Sequence, residues 1–173
     1  MIINKDNQTY PENSIRTFTG KIFDLKILDP ESICIEDIAH GLSCAARFAG
    51  HLEYFYSVAQ HSVLIAEEVE GEFKIEALLH DASEAYLGDM PSPFKKIMPE
   101  FKEYENKLMR VIASKYGFPF PLSGHVKFWD KRMLQIEWDS FIDKSIPLQI
   151  EPWSPAYSKF RFLDMWYRLN QKK

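Results

Sequence analysis

The sequence predicts an all-α fold, a compact bundle of five or six helices with a short N-terminal β-hairpin, and three observations carry that expectation. Apolar residues recur at three- and four-residue spacing from Ile35 onward, the period of a helix with one buried face. Start and stop signals bracket those stretches, with Ser57 and Ser154-Pro155 ahead of two of them and Gly71, Gly88 and Gly117 behind others. The connections are short and no internal repeat appears, which suits one bundle rather than a solenoid. With 173 residues, 46% of them apolar, the chain is long enough for one core-bearing domain over 1–173 and too short for two of ordinary size.

Residues 1–34 read as irregular or hairpin-forming, because Ile15 to Leu25 gathers β-branched residues around Gly20. Ile35, Ile38, Ala39, Leu42, Ala45 and Ala46 mark a first helix that Gly50 closes. Ser57 stands as the N-cap of a second, with Gln60 three residues on to complete a capping box. Val58, Ile65 and Val69 form its apolar stripe, which His61 and Ser62 interrupt. A third helix is predicted at about 72–86 on Phe73, Ile75, Leu78, Leu79 and Ala82, with His80 and Asp81 in its middle, stopping before the Pro91-Ser92-Pro93 loop. Two longer helices follow at about 100–116 and 124–141, separated by a proline-marked turn at 117–121. A last one starts at Ser154-Pro155, where serine caps and proline suits the first helical position. Phe128, Trp129 and Trp138 are assigned to the core.

The formal charge is only −4, and lysines and arginines are scattered, so no electrostatic footprint for duplex nucleic acid exists, while a single nucleotide stays open as a partner. No apolar run reaches the roughly 20 residues of a membrane-spanning helix. Met1 to Asn7 has neither the basic start nor the apolar stretch of a secretory leader. Cys34 and Cys44 are accordingly read as reduced thiols of a cytoplasmic protein.

The chemistry concentrates on a few polar residues set among apolar ones. Adjacent His80 and Asp81 project about 100° apart on a helix, close enough to share one ion. Glu84, three residues after Asp81 and four after His80, falls on the same face and could meet a metal-activated water. His61 and Asp130 would bring the set to four N/O ligands from three helices. Burying unpaired carboxylates such as Asp81 and Asp130 costs several kcal/mol, which one divalent cation would offset at both. Imidazole and carboxylate without thiolate point to one transition metal per chain, Mn, Co, Zn, Fe or Ni.

The segments Tyr56-Ser57-Val58-Ala59-Gln60-His61-Ser62, Leu79-His80-Asp81-Ala82-Ser83-Glu84-Ala85-Tyr86, Gly88-Asp89-Met90-Pro91-Ser92-Pro93-Phe94-Lys95 and Val126-Lys127-Phe128-Trp129-Asp130 resemble the HD-domain phosphohydrolases, in particular their 5'-nucleotidase branch. Ile35 to His40 and Arg47-Phe48-Ala49-Gly50-His51 are further similar to small phage and prophage members, so the resemblance spans about 16–139. It implies removal of phosphate from (deoxy)nucleoside 5'-monophosphates, with dNTP hydrolysis, dATP included, as the alternative and a nucleotide-binding regulatory module as the non-enzymatic one. It also implies roles: Glu84 orients the water or shuttles its proton, Asp89 positions the nucleophile or protonates the leaving oxygen, and Arg47 and Lys95 bind phosphate. His51 becomes a substrate contact, and Phe48 stands where members selective for deoxynucleotides often carry Trp. A homo-oligomer is a further expectation from the resemblance. A di-iron oxygenase on the same scaffold would need more His ligands, for which His51 and His125 are the candidates.

Overall fold

Gly20, at φ 91°, makes the turn of the N-terminal hairpin. Strand β1 (Ser14–Arg16) pairs antiparallel with β2 (Ile22–Asp24), Ile15 facing Phe23 across the ladder. The structure is a computed structural model that describes residues 11–143, 145, 147 and 149–171. The hairpin is docked rather than free: both oxygens of Asp37 accept from Thr19, one from its amide at 2.7 Å and one from its hydroxyl at 2.8 Å. Phe23 is fully buried against Tyr86.

Helix α1 (Ile35–Cys44) buries Ile38, Ala39 and Leu42 as its periodicity requires. It ends well before Gly50, because Ala45 turns to extended backbone and residues 45–47 run beside 56–58. The Val58 amide donates to the Ala45 carbonyl at 3.1 Å and the Arg47 amide to the Tyr56 carbonyl at 2.9 Å. Gly50 instead ends a 3₁₀ turn, Arg47–Gly50, in which Phe48 and Ala49 hold positive φ of 54° and 53°. Side-chain-bearing residues enter that region only at a cost of about 1–3 kcal/mol.

Helix α2 (Val58–Glu68) starts at Ser57, whose hydroxyl accepts from the Gln60 amide at 3.1 Å. The expected capping box is only half made. The Gln60 side chain turns away, accepting from the Trp153 amide and donating to the Glu151 carbonyl, both at 2.8 Å. Helix α2 packs against α1, α3 (Lys74–Leu79), α7 (Gly124–Phe141) and α8 (Pro155–Asn170), so even Gln60, His61 and Ser62 are buried. A helix enclosed on several sides has no polar face to display. That is why its apolar stripe reads as interrupted.

The third predicted helix divides. After α3 the chain tightens to i→i−3 bonds, from Ala82 to Leu79 and from Glu84 to Asp81, and resumes as α4 (Glu84–Leu87). His80 and Asp81 therefore sit at the end of α3, not in mid-helix. Another short helix, α5 (Ser92–Ile97), occupies the predicted proline loop, with proline tolerated in its first turn. The long helices α6 (Pro99–Tyr116) and α7 lie close to their predicted spans. Glu76 of α3 accepts from the amide of Ser123, the N-cap of α7, at 2.5 Å, tying the two helices together.

One contiguous apolar cluster joins Ile38 and Leu42 of α1, Val63 and Ile65 of α2, Leu78 and Leu79 of α3, Leu108 and Ile112 of α6, and Phe162 of α8. Phe128 and Trp138 do not belong to it. They are 59% and 51% exposed on the outer face of α7, and of that trio only Trp129 packs against the cluster. The five longer helices account for the predicted bundle, and the divided segment adds the short ones. Among the described residues, no helix is long and apolar enough to cross a membrane.

Candidate metal centre

Two histidines meet at the end of α3. His61, one turn into α2, is fully buried, and its ring centre lies 5.2 Å from that of His80. His61 Nε2 is 3.3 Å from Asp130 Oδ1 and 3.8 Å from Asp81 Oδ2, while His80 Nε2 is 3.1 Å from Asp81 Oδ2 and 3.8 Å from Asp130 Oδ1. His61, His80 and Asp130 form a group whose ligand atoms all lie within 4.8 Å of one another and could hold a metal ion. Both Nε2 atoms are buried and accept or donate no hydrogen bond. Buried imidazole nitrogens are ordinarily satisfied, and their other nitrogens here are: His80 Nδ1 donates to the Ala77 carbonyl at 2.7 Å, so that Nε2 is the atom that titrates and, once deprotonated, offers a lone pair. The donor set fits a divalent cation.

Helix α7 grips His61 from both sides. Asp130 and Glu137 are seven residues apart and so lie on one face, Asp130 toward Nε2 and Glu137 Oε1 at 2.5 Å from Nδ1. Glu137 is fully buried and its charge is met four times, by His61, by Tyr56 Oη at 2.8 Å, and by Arg47 Nη2 and Nε at 2.8 and 3.2 Å. Burial would raise its pKa, but His61 and Arg47 hold it below the ordinary value. Burial and then the Glu137 carboxylate push Tyr56 well up, and Glu137 also keeps Arg47 charged against its burial.

The two expected proton carriers sit just beyond. Burial, then the charges of Asp81 and Asp89, push Glu84 well above the usual carboxylate range, although Lys95 opposes them. Glu84 Oε1 accepts from Lys95 at 3.0 Å, while its buried Oε2 has no partner. Burial, partly offset by Arg47, also holds Asp89 up. Asp81 behaves oppositely: burial would raise it, but His80, His61 and Arg47 drive it far below its usual value. His80 loses by burial and gains more from Asp81 and Asp130, ending at about 9. Two neighbouring carboxylates are thus set apart, one ionised and one inclined to carry a proton.

Comparison with known proteins gives a relationship at the level of sequence. The chain is 50% identical over 123 residues to the uncharacterized protein YfdR of Escherichia coli (strain K12), covering 71% of this chain and 69% of that protein. The chain belongs to the YfdR family. The uncharacterized protein RCAP_rcc00048 of Rhodobacter capsulatus is 37% identical over 122 residues, 65% of this chain and 62% of its own length. No family model matches the chain.

In this YfdR-family chain the expected site residues separate into three groups. His61, His80, Asp81, Asp130, Glu84, Asp89 and Arg47 converge. Arg47 does so with two of its nitrogens on Glu137 and Nη1 3.8 Å from Asp81, leaving little of its fork for a phosphate. Lys95 comes to Glu84 but is shared with Glu105. Phe48 and His51 line an open cleft of about 820 Å³ with Leu52, Pro91, Phe141 and Ile142. His125 goes elsewhere, stacked on Phe73 at 4.5 Å, and His51 is exposed at the rim of the cleft. Sequence reasoning missed Glu137, Tyr56 and Glu105. Only Glu137 carried a signal, its seven-residue spacing from Asp130 on a helix otherwise judged by its apolar positions.

Proposed function

We propose that the chain is a metal-dependent phosphohydrolase of the HD-domain type that removes phosphate from (deoxy)nucleoside 5'-monophosphates. The observation that carries this reading is the pair of buried, unpartnered Nε2 atoms of His61 and His80 facing the carboxylates of Asp130 and Asp81. His61, His80 and Asp130 would hold the ion, with Asp81 as the fourth ligand. A divalent ion there would lower the pKa of a bound water and offset charge on a phosphate oxygen.

The chain's own residues supply the rest. Glu84, with one unpartnered oxygen and a proton affinity raised by burial, accepts the proton of the attacking water. Asp89, also raised, hands a proton to the leaving nucleoside oxygen. Arg47, fixed by Glu137 through Nε and Nη2, has only Nη1 left to meet a phosphate oxygen. Phe48, Phe141 and Ile142 give the cleft an apolar wall of the kind that takes a planar base.

The test is phosphate release from a panel of nucleoside and deoxynucleoside monophosphates and triphosphates, with Mn, Co, Zn, Fe or Ni supplied in turn. Inorganic phosphate and nucleoside from the monophosphates are the expected products. Release from triphosphates alone replaces the substrate with dNTPs. Stoichiometric metal and tight nucleotide binding with no turnover across the panel would make the chain a nucleotide-binding module instead.

A further inference from the structure

We infer that Glu105 is a positioning residue for Glu84, acting through Lys95; the inference rests on the hydrolase reading of Glu84. Glu105 lies on α6, ten residues beyond Lys95 of α5, and is 4% exposed. Its two oxygens have separate partners. Oε2 takes Lys102, one turn earlier on the same helix, at 2.6 Å, and Oε1 takes Lys95 at 2.7 Å. Lys95 in turn donates to Glu84 Oε1 at 3.0 Å. The chain of contacts ends at Glu84 Oε2, which is buried and has no partner.

Each link restricts the next. Lys102 fixes which Glu105 oxygen is free, and that oxygen fixes an ammonium that would otherwise move on a flexible four-carbon stem. A held Lys95 occupies one Glu84 oxygen and leaves only the other for a proton from water. Lys95 already forms part of the wall of a solvent cleft with Ser92, Lys96, Lys102 and Asn106, so without Glu105 its ammonium has room to swing outward. Lys95 would then leave Glu84 able to rotate. An ammonium already bound by two carboxylates is also poorly placed to serve as the phosphate ligand suggested by its position after the Pro-x-Pro loop.

Two measurements on the full chain test this. Mass spectrometry after brief acylation with an N-hydroxysuccinimide acetate reads the reactivity of each lysine, with or without hydrolysis. Lys95 should be protected relative to Lys107, which pairs with Glu103 on the solvent side of α6, and Glu105→Gln should raise Lys95 labelling on the order of tenfold. In hydrolysis, Glu105→Gln should lower kcat about tenfold with KM and metal content unchanged. In a Lys95→Met background the same change should cost nothing more. Lys107→Ala should leave kcat at the parental value. If Glu105→Gln does not fold, Glu105→Asp keeps the charge but shortens its reach and should give a smaller rise in labelling. Unchanged Lys95 labelling, or losses that add in the double variant, would overturn the inference. Labelling that responds in a protein hydrolysing no nucleotide would remove the hydrolase reading and leave the Glu105–Lys95–Glu84 clamp standing.

Discussion

His61 has both ring nitrogens assigned by one helix, and that division makes separable predictions. Asp81→Ala should lose metal and activity together, whereas Glu84→Ala should keep its metal and lose rate by roughly 10²-fold or more; metal analysis beside kcat separates them, and equal metal loss in both would undo the assignment. Glu137→Gln keeps shape but removes the charge on His61 Nδ1 and on Arg47, so metal affinity should fall about 10–100-fold, as read by competition with a chelating dye. His80 adds a pH dependence. Its pKa, raised from 6.5 to about 9 in the metal-free protein, means that below about 9 an ion must displace a proton. Affinity should therefore rise from pH 6.5 toward 9 with proton release on binding, measurable by calorimetry in buffers of different ionisation enthalpy. The stability this histidine gives the metal-free fold runs the other way: it is complete below 6.5 and is lost as pH rises through about 9. The His61–His80–Asp130 group was legible because His and Asp stand out among apolar helix residues. Glu137 and Glu105 were not, since glutamate on a helix is ordinary and only the folded chain shows which are buried.

Among the elements, α1 and α4 make the closest approach that the glycines record. A Cβ on Gly41 would stand 2.6 Å from the Ala85 carbonyl oxygen and 2.8 Å from its Cα, backbone that cannot step aside alone. Gly41→Ala should displace α4, which carries Glu84, and cost about 1–3 kcal/mol in thermal unfolding despite alanine's better helix propensity. The hairpin offers a milder test. Asp37→Asn replaces one of two acceptors for Thr19 with a donor, at about 1–3 kcal/mol for the group left unsatisfied. Hydrogen exchange should show β1 and β2 losing protection first. Caps and proline positions made α6, α7 and the start of α8 readable to within a residue or so. The division at 80–83 was not, because apolar spacing continues through it and neither Gly nor Pro marks the change to i→i−3 bonds. The exit of 45–47 from α1 was hidden similarly, because Ala45 and Ala46 are good helix formers that continue its apolar spacing.

At the scale of the molecule, the group draws His61 from α2, His80 from the end of α3 and Asp130 from α7, so an ion there would bridge distant parts of the chain. Metal at 100 times its dissociation constant should stabilise the fold by about 2.7 kcal/mol, seen as a higher Tm that a chelator abolishes. An unchanged Tm with bound metal would place the ion elsewhere. The all-helical class was legible from period and caps, whereas the enclosure of α2 depends on how elements stack, which spacing along the chain does not encode. One feature of that enclosure bears on how the protein is made. Gln60, immediately before His61, is held by the backbone of Glu151 and Trp153, and α8 also packs against α2. These parts leave the ribosome after every proposed ligand, so His61 lacks its final wall until translation has passed α8. An ion held by His61, His80 and Asp130 would then be captured late in maturation, following synthesis rather than guiding it.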